Sequence, residues 1–447
     1  MADENRPGRM PVDEARARIV AAVEPVDAHE RVPIIQSVGR VLVEDVAATG
    51  DVPPFDYSAM DGYAVRAADV RAATDHGAVR LRVVGRVGAG EVANRPCGPG
   101  EAWRIVTGAP IPPEADAVIP YEMVRAVSRD GRALEGHPRG FGGWDGSETE
   151  VEAAIDVTIS VVAGDDGRSR GEDHRAGSVA MRAGTRVRPA EVAVLASLGR
   201  EWVWVTRRLR VGVLSTGDEL AGRDHSGPLP PGAIRDANGP GLMAMVTRDG
   251  AMPVDLGQAP DDPEAIRAAF LRGVEDGCDA IVSSGGVSMG DRDMVRHVVG
   301  GEGEVSIWRV DLRPGKPFAF GRFRGVPLFG LPGNPVSALV TYDLLVNPTL
   351  RRLQGETLTN PVEVPAVAAV RLANDSGREQ FMRGIVRAVQ APDGAITWHA
   401  SPTGPQGSGL LSSLARANCL IRVPATVTEV PAGGALRVTL TGVAPLW

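Results

Sequence analysis

The chain is 447 residues long with 43% hydrophobic residues and a formal net charge of −8. Single cores rarely organise more than about 250–300 residues, so several domains are expected. The acidic balance argues against nucleic acid as a partner, which wants a basic face, but leaves room for small anions held by local cations and backbone amides.

The polar N-terminus, Met1-Ala2-Asp3-Glu4-Asn5-Arg6, lacks a signal-peptide apolar core, and no apolar run is long enough to span a bilayer. A soluble, cytoplasmic protein without a membrane partner is expected. Residues 11–24 predict a helix, with acids early and apolar residues at helical spacing. Arg31–Ile35 reads as a strand and Gly39–Val46 as a short apolar segment. The loop Pro53–Val65 then mixes prolines, Asp56 and Asp61, two tyrosines and a hydroxyl. That is richer than a connector needs, although a buried corner with turn-capping Asp residues explains it equally well.

Alternation over Leu81–Val87 and Ala117–Pro120 predicts a small β domain. Thr107 closes one of its strands before Gly108-Ala109-Pro110, where a hydroxyl can face a ligand or simply close a turn. Residues 127–150, poor in large apolar groups, read as an exposed loop or insertion, and Ile155–Val162 as strand. Arg168–Asp173 crowds charges around Gly171; a solvated cluster is the default reading. Ala190–Leu198 predicts a helix stopped by Gly199.

Strand and helix then alternate over roughly residues 207–350, the pattern of a parallel sheet covered on both faces. Ligands of such sheets gather at the C-terminal ends of the strands. Glu219, Asp261, Ser284, Asp293 and the turn 313–316 all follow predicted strands and can share one rim. Asp279–Val282 opens through Ser283–Met289 into a predicted helix 293–299, leaving backbone N–H groups for a phosphate. Arg313-Pro314-Gly315-Lys316 places cations on a rigid turn, and Leu331–Pro335 starts another helix. Beyond Leu353, short strands separated by turns predict a small, barrel-like C-terminal β domain. Cys97, Cys278 and Cys419, odd in number and without metal-ligand spacing, read as free thiols.

Together the motifs Pro53–Asp56 with Ser58–Ala64, Thr107–Pro110, Gly171–Asp173, Ser215–Leu220, Ser283–Ser288, Pro314–Pro317 and Leu331–Pro335 resemble, in order, the molybdopterin molybdenumtransferases, the MoeA family related to the gephyrin E domain. The resemblance implies a multidomain α/β plus β protein: a central Mog-like molybdopterin-binding α/β domain with a parallel-rich sheet, a small β domain, and a C-terminal β-barrel-like domain. The implied boundaries are 8–51 with 172–206 as the N-terminal linker and dimer domain, 52–171, 207–355 and 356–447. The implied reaction inserts molybdenum from molybdate into adenylylated molybdopterin, releases AMP and forms the molybdenum cofactor with Mg²⁺ assisting.

By motif, the resemblance assigns catalytic roles to Asp61, Thr107, Asp173, Glu219, Asp261 and Asp293, with Glu219, Asp261 and Asp293 as metal ligands. It assigns substrate binding to Ser284, Gly285, Gly286, Ser288, Arg309, Arg313, Lys316, Pro332, Asn334 and Pro335. Carboxylates suit a hard Mg²⁺ bridging phosphate oxygens, amides at 284–288 the pterin phosphate, and the 313–316 cations an oxyanion. The resemblance further implies a homodimer with the cleft shared between subunits, and a Mog-type adenylyltransferase and apo-molybdoenzymes as partners. Tyr57 stands where the family usually has Asn, Arg313 where it often has Lys, and the segment before Arg168 is longer than typical. Other readings from the sequence are a non-catalytic scaffold like the gephyrin E domain, and a tungstate-using or inactive paralogue.

Overall fold

The computed structural model describes residues 10–134, 152–286, 298, 302–315, 317–390 and 393–441, with the backbone alone at 305–309. They form two compact units: residues up to Glu44 with Ala183–Val192 and Glu201 onward, and Asp45–Arg182 with Ala193–Arg200.

The first unit opens with α1 (Val12–Ala21), which buries Val12, Ala15 and Ile19 along one stripe and carries Asp13 and Glu14 in its first turn. Strand β1 (His29–Pro33) ends two residues before the predicted boundary, because a 3₁₀ turn takes over at Ile34–Ser37. The run Gly39–Val46 is not one strand. Val41 and Leu42 make isolated bridges to Arg186 and Val205, and only Val46 enters β2 (Val46–Ala47).

The second unit contains β2, β3 (Tyr57–Ser58), β4 (Gly62–Val65), β5 (Val79–Val87), β6 (Glu101–Ile105), β7 (Ala117–Pro120), β8 (Val124–Val127), β9 (Ala154–Val157), β10 (Gly167–Arg168) and β11 (Val179–Met181). Six of them form one sheet, ordered β7-β4-β6-β5-β9-β8, over a core that includes Tyr63, Val65, Leu81, Ile119 and Ile155. The predicted strand 155–162 stops at Val157. Most of the predicted insertion, 135–150, lies outside the described residues. Helix α2 (Pro189–Ser197) ends as expected: Gly199 adopts φ +71° and Arg200 N–H caps the Leu195 carbonyl.

Back in the first unit, β12 (Trp202–Thr206) pairs with β1. The α/β region then runs β13 (Arg210–Thr216), α3 (Asn238–Arg248), β14 (Met252–Ala259), α4 (Pro263–Glu275), β15 (Ala280–Ser284), β16 (Gly303–Arg309), β17 (Leu312–Arg313), β18 (Pro317–Phe323) and β19 (Val326–Leu331). Asp262 caps α4 by accepting the Ala265 N–H at 2.9 Å, with Pro263 in the first turn. The sheet order is β14-β13-β15-β19-β18-β16. Its first four strands are parallel, whereas β18 and β16 join antiparallel, so the sheet is mixed at one edge. Val213 and Val282 pack with Leu242 and Val246 of α3; Leu214 and Ile281 pack with Ile266 and Phe270 of α4. Alternate residues thus bury both faces, as a doubly covered sheet requires.

Helices at Pro335–Thr341 and Asn347–Leu353 flank a π-turn at Tyr342–Val346. The C-terminal region adds β20 (Glu363–Ala368), β21 (Leu372–Ala373), β22 (Glu379–Gln390), β23 (Ile396–Pro402), β24 (Cys419–Val423), β25 (Glu429–Val430) and β26 (Ala435–Leu440). The cycle β22-β23-β20-β26-β24 closes through β24–β22 pairing into a five-stranded barrel. Strand β17 leaves the α/β sheet and pairs in parallel with β22, setting Arg313 opposite Gln380. The three cysteines are free and buried, and burial pushes their thiols up to about 11, 11 and 12 for Cys97, Cys278 and Cys419. Among the described residues, no helix is long and apolar enough to cross a membrane.

Candidate functional site

Three loops meet at the C-terminal ends of β13, β15 and β19. Asn238, at the start of α3, donates through Nδ2 to Ser284 Oγ at 2.6 Å and to the Gly333 carbonyl at 2.7 Å. The Ser284 hydroxyl in turn donates to the Pro332 carbonyl at 3.3 Å. Gly285 adopts φ +90° and lies so close to β13 that a Cβ there would sit 2.3 Å from the Thr216 carbonyl oxygen. Only glycine meets both conditions. Its N–H, expected to face a phosphate, instead donates to the Leu331 carbonyl at 3.1 Å. This amide fastens the loop to β19. The buried Ser215 and Ser283 hydroxyls and Asn238 Oδ1 have no hydrogen-bond partner among the described residues.

The carboxylates follow the same strand ends. Asp218 Oδ1 accepts the Asp261 N–H at 3.0 Å, joining the loops after β13 and β14. Glu219 folds its carboxylate over Gly217, where a Cβ would approach it to 2.5 Å.

Glu219 also lines a cleft of about 800 Å³. Arg313, Pro314 and Gly315 form one wall, and Pro332, Gly333, Asn334 and Pro335 another. Five residues singled out in the sequence (Glu219, Arg313, Pro332, Asn334 and Pro335) therefore share one cavity. The third wall comes from the barrel: Arg378, Gln380, Arg383 and the Gln406–Ser408 loop. None of these was expected. The available signal was a strand reading Glu379-Gln380-Phe381-Met382-Arg383, in which polar groups are buried where apolar ones belong. Among the described residues, Arg313 keeps only a loose ion pair, 3.7 Å, with the exposed Asp375 carboxylate. Ser288, Asp293 and Lys316 lie outside the described residues, as does the helix expected at 293–299 save Val298; of Arg309 only the backbone, in β16, is described.

The second unit holds the other predicted group. Asp61 Oδ1 accepts both the Thr107 N–H at 2.7 Å and the Thr107 hydroxyl at 2.8 Å, so the two exposed residues form one polar corner. Beneath it Arg104 and Glu152 make a buried ion pair at 3.0 Å, and Arg104 Nε donates to the Tyr121 hydroxyl at 3.3 Å. The Arg168–Asp173 run is anchored to the Pro53–Val65 loop: β3 pairs with β10, and the Arg170 N–H donates to Asp56 at 2.6 Å. Arg168 and Glu172 form the exposed ion pair expected of a solvated cluster. Asp173 is exposed, lies 3.9 Å from the His174 ring and makes no hydrogen bond to Asp61 or Thr107.

Known proteins match this chain along nearly its whole length. Residues 10–199 match the MoeA N-terminal region (domain I and II), 212–352 a probable molybdopterin binding domain, and 365–440 the MoeA C-terminal region (domain IV). A molybdopterin molybdenumtransferase of Haemophilus influenzae is 34% identical over 94% of this chain and 96% of its own. A molybdopterin molybdenumtransferase 2 of Mycobacterium tuberculosis is 36% identical over 94% of this chain and 96% of its own. Among solved structures, a molybdopterin biosynthesis MoeA protein from Pyrococcus horikoshii is 32% identical, covers 97% of this chain and 100% of its own, and superposes with a TM-score of 0.69.

Proposed function

The chain belongs to the MoeA family of molybdopterin molybdenumtransferases, enzymes of molybdenum cofactor biosynthesis, and from that premise we propose that it inserts molybdenum from molybdate into adenylylated molybdopterin, forming the cofactor and releasing AMP. The observation that carries this reading is the cleft. Cationic Arg313 and Arg378, the amide of Asn334 and the carboxylate of Glu219 converge where β13 and β19 end, which suits a ligand carrying both oxyanions and a metal-bridged phosphate. A scaffold would need no such cavity.

Mg²⁺ fits this rim. It takes one or two protein carboxylates and completes its shell with water and substrate phosphates, so it needs no protein cage. Among the described residues there is no group of three or more ligating side chains, and one or both of Glu219 and Asp261 would be the carboxylates the ion uses. Bound there, it would neutralise phosphate charge. The protein residues fix the remaining geometry: Asn238 and Ser284 hold the loops, and the cations orient the anion.

The two groups of site residues belong to different units. On the family resemblance we propose a homodimer as the working form, with Asp61, Thr107 and Asp173 of one subunit contributing to the cleft of the other. Cytoplasmic operation, beside a Mog-type adenylyltransferase and apo-molybdoenzymes, is the setting this reaction calls for. The test is AMP release from adenylylated molybdopterin with Mg²⁺: it is expected to require molybdate and to be lost in Glu219→Gln.

A further inference from the structure

The loop that joins β13 to α3, residues 217–237, carries Glu219 to the cleft and ends beside Asn238. It closes on itself near its two ends. The Ile234 N–H donates to the Glu219 carbonyl at 2.8 Å, and the Ala221 N–H to the Ile234 carbonyl at 2.9 Å. Arg223, between those ends, reaches out of the loop. Its guanidinium pairs with Asp236, at 3.1 Å, and with Asp255 on β14.

Both carboxylates are themselves held. Asp236, its side chain only 3% exposed, accepts the Gly239 N–H at 2.9 Å in the first turn of α3. Asp255 accepts the Gly257 N–H at 2.8 Å across a bulge in β14. The guanidinium also lies against Gly239, where a Cβ would come 2.3 Å from Arg223 Nη2 and 2.8 Å from Ser215 Oγ. Arg223 is thus wedged between the loop, the start of α3 and the strand that leads to Asp261. Other ties hold the loop to β14 and the segment after it. Gly217 N–H donates to the Ala259 carbonyl at 3.1 Å, Gln258 Nε2 to the Ala221 carbonyl at 3.3 Å, and Asp261 N–H to Asp218. These lie between Gly217 and Ala221, whereas Arg223 carries the link to the returning half through Asp236. Removing one partner of a buried ion pair leaves the other charge uncompensated, so loss of Arg223 releases Asp236 and the turn it holds.

We propose that Arg223 is a positioning residue: by joining Asp236 to Asp255 it fixes the loop on β14, and so sets Glu219 against Asp261 at the rim. This rests on the functional reading above, and it predicts a selective effect. A misplaced carboxylate slows the reaction and loosens a cation held there, whereas molybdate, met by the cations of the other walls, keeps its affinity.

The experiment compares wild type, Arg223→Met, Arg223→Lys and Asp255→Asn by two readouts, with near-UV circular dichroism as a check on folding. One is kcat and KM for molybdate in AMP release. The other is Mn²⁺ binding, followed by electron paramagnetic resonance, to protein with adenylylated molybdopterin and no molybdate; Mn²⁺ takes the same oxygen ligands as Mg²⁺. Arg223→Met is expected to lower kcat at least about tenfold and to weaken Mn²⁺ at least about fivefold, with KM for molybdate within about threefold. Arg223→Lys, a point charge without the fork that spans two carboxylates, is expected to fall between Met and wild type. Asp255→Asn, which weakens the tie to β14 and leaves the pair with Asp236, is expected to move both readouts in the same direction. Unchanged kcat and Mn²⁺ affinity in Arg223→Met, a loss confined to KM for molybdate, or equal behaviour of Lys and Met would overturn the proposal. If Arg223→Met does not fold, Arg223→Lys and Asp255→Asn carry the test: wild-type kcat and Mn²⁺ affinity in both overturn it. A wild type without molybdate-dependent release would instead remove the functional reading on which the proposal stands.

Discussion

The Asp61 carboxylate takes two hydrogen bonds on one oxygen, both from Thr107: backbone N–H at 2.7 Å and hydroxyl at 2.8 Å. The other oxygen takes no hydrogen bond among the described residues, and Asp61 is exposed. A carboxylate locked this way keeps its orientation without being buried, which is what a group acting on a substrate needs. Asp61→Asn keeps an oxygen for both Thr107 donors and loses only the charge. Stability should change by less than about 1 kcal/mol, and AMP release should fall at least about a hundredfold. Thr107→Ser, which keeps both donors, should remain within about threefold of wild type. Melting curves and initial rates on the same preparations decide this; a fully active Asp61→Asn removes Asp61 from the site.

Gly285 is held by collision as well as by conformation. Its Cβ would strike the Thr216 backbone at 2.3 Å, whereas Gly277, also at positive φ (+69°), has nothing within 4 Å. Gly277→Ala should therefore cost about 1 kcal/mol of backbone strain, and Gly285→Ala clearly more, roughly 2–4 kcal/mol, because β13 and β15 must separate. Denaturation of the two variants side by side checks it. Equal losses would mean that the loop yields freely and that the close approach does not shape the site.

A pH signature should come from the π-turn. Burial pushes Asp343 up to about 6 although Arg248 donates to it at 2.7 Å and pulls the other way. A carboxyl with a raised folded pKa binds its proton more tightly folded than unfolded. It therefore costs stability above about pH 6, and the cost fades as pH falls toward 4. Taken at face value the shift corresponds to about 3 kcal/mol, an upper bound because the side chain is 15% exposed. On moving from pH 7.5 to 5, wild type should gain stability relative to Asp343→Asn. A difference in melting temperature that is the same at both pH values would contradict this.

The local features of the fold were legible because their causes are local. The Asp262-Pro263 start of α4 and the Gly199 stop of α2 are written in adjacent residues. So are the strand ends that carry Glu219, Asp261 and Ser284. What could not be read depends on distant partners. The apolar run Gly39–Val46 resembles a strand, but its neighbours at Arg186 and Val205 admit only single bridges. The Arg313 turn follows the α/β alternation in sequence, yet β17 pairs with β22, some 65 residues later. That pairing brings Gln380, Arg383 and the Gln406–Ser408 loop to the cleft. No spacing rule connects residue 313 to residue 406, so one wall of the cavity was invisible until the barrel closed.

The decisive measurement supplies purified protein with adenylylated molybdopterin, Mg²⁺ and low-micromolar molybdate, and follows both AMP release and activation of an apo-molybdoenzyme, with Glu219→Gln and Asp293→Asn in parallel. Molybdate-dependent AMP release that rises together with molybdoenzyme activity, and that both substitutions abolish, is the predicted result. Tight binding of the adenylylated ligand with no AMP released, for molybdate or for tungstate, would contradict it.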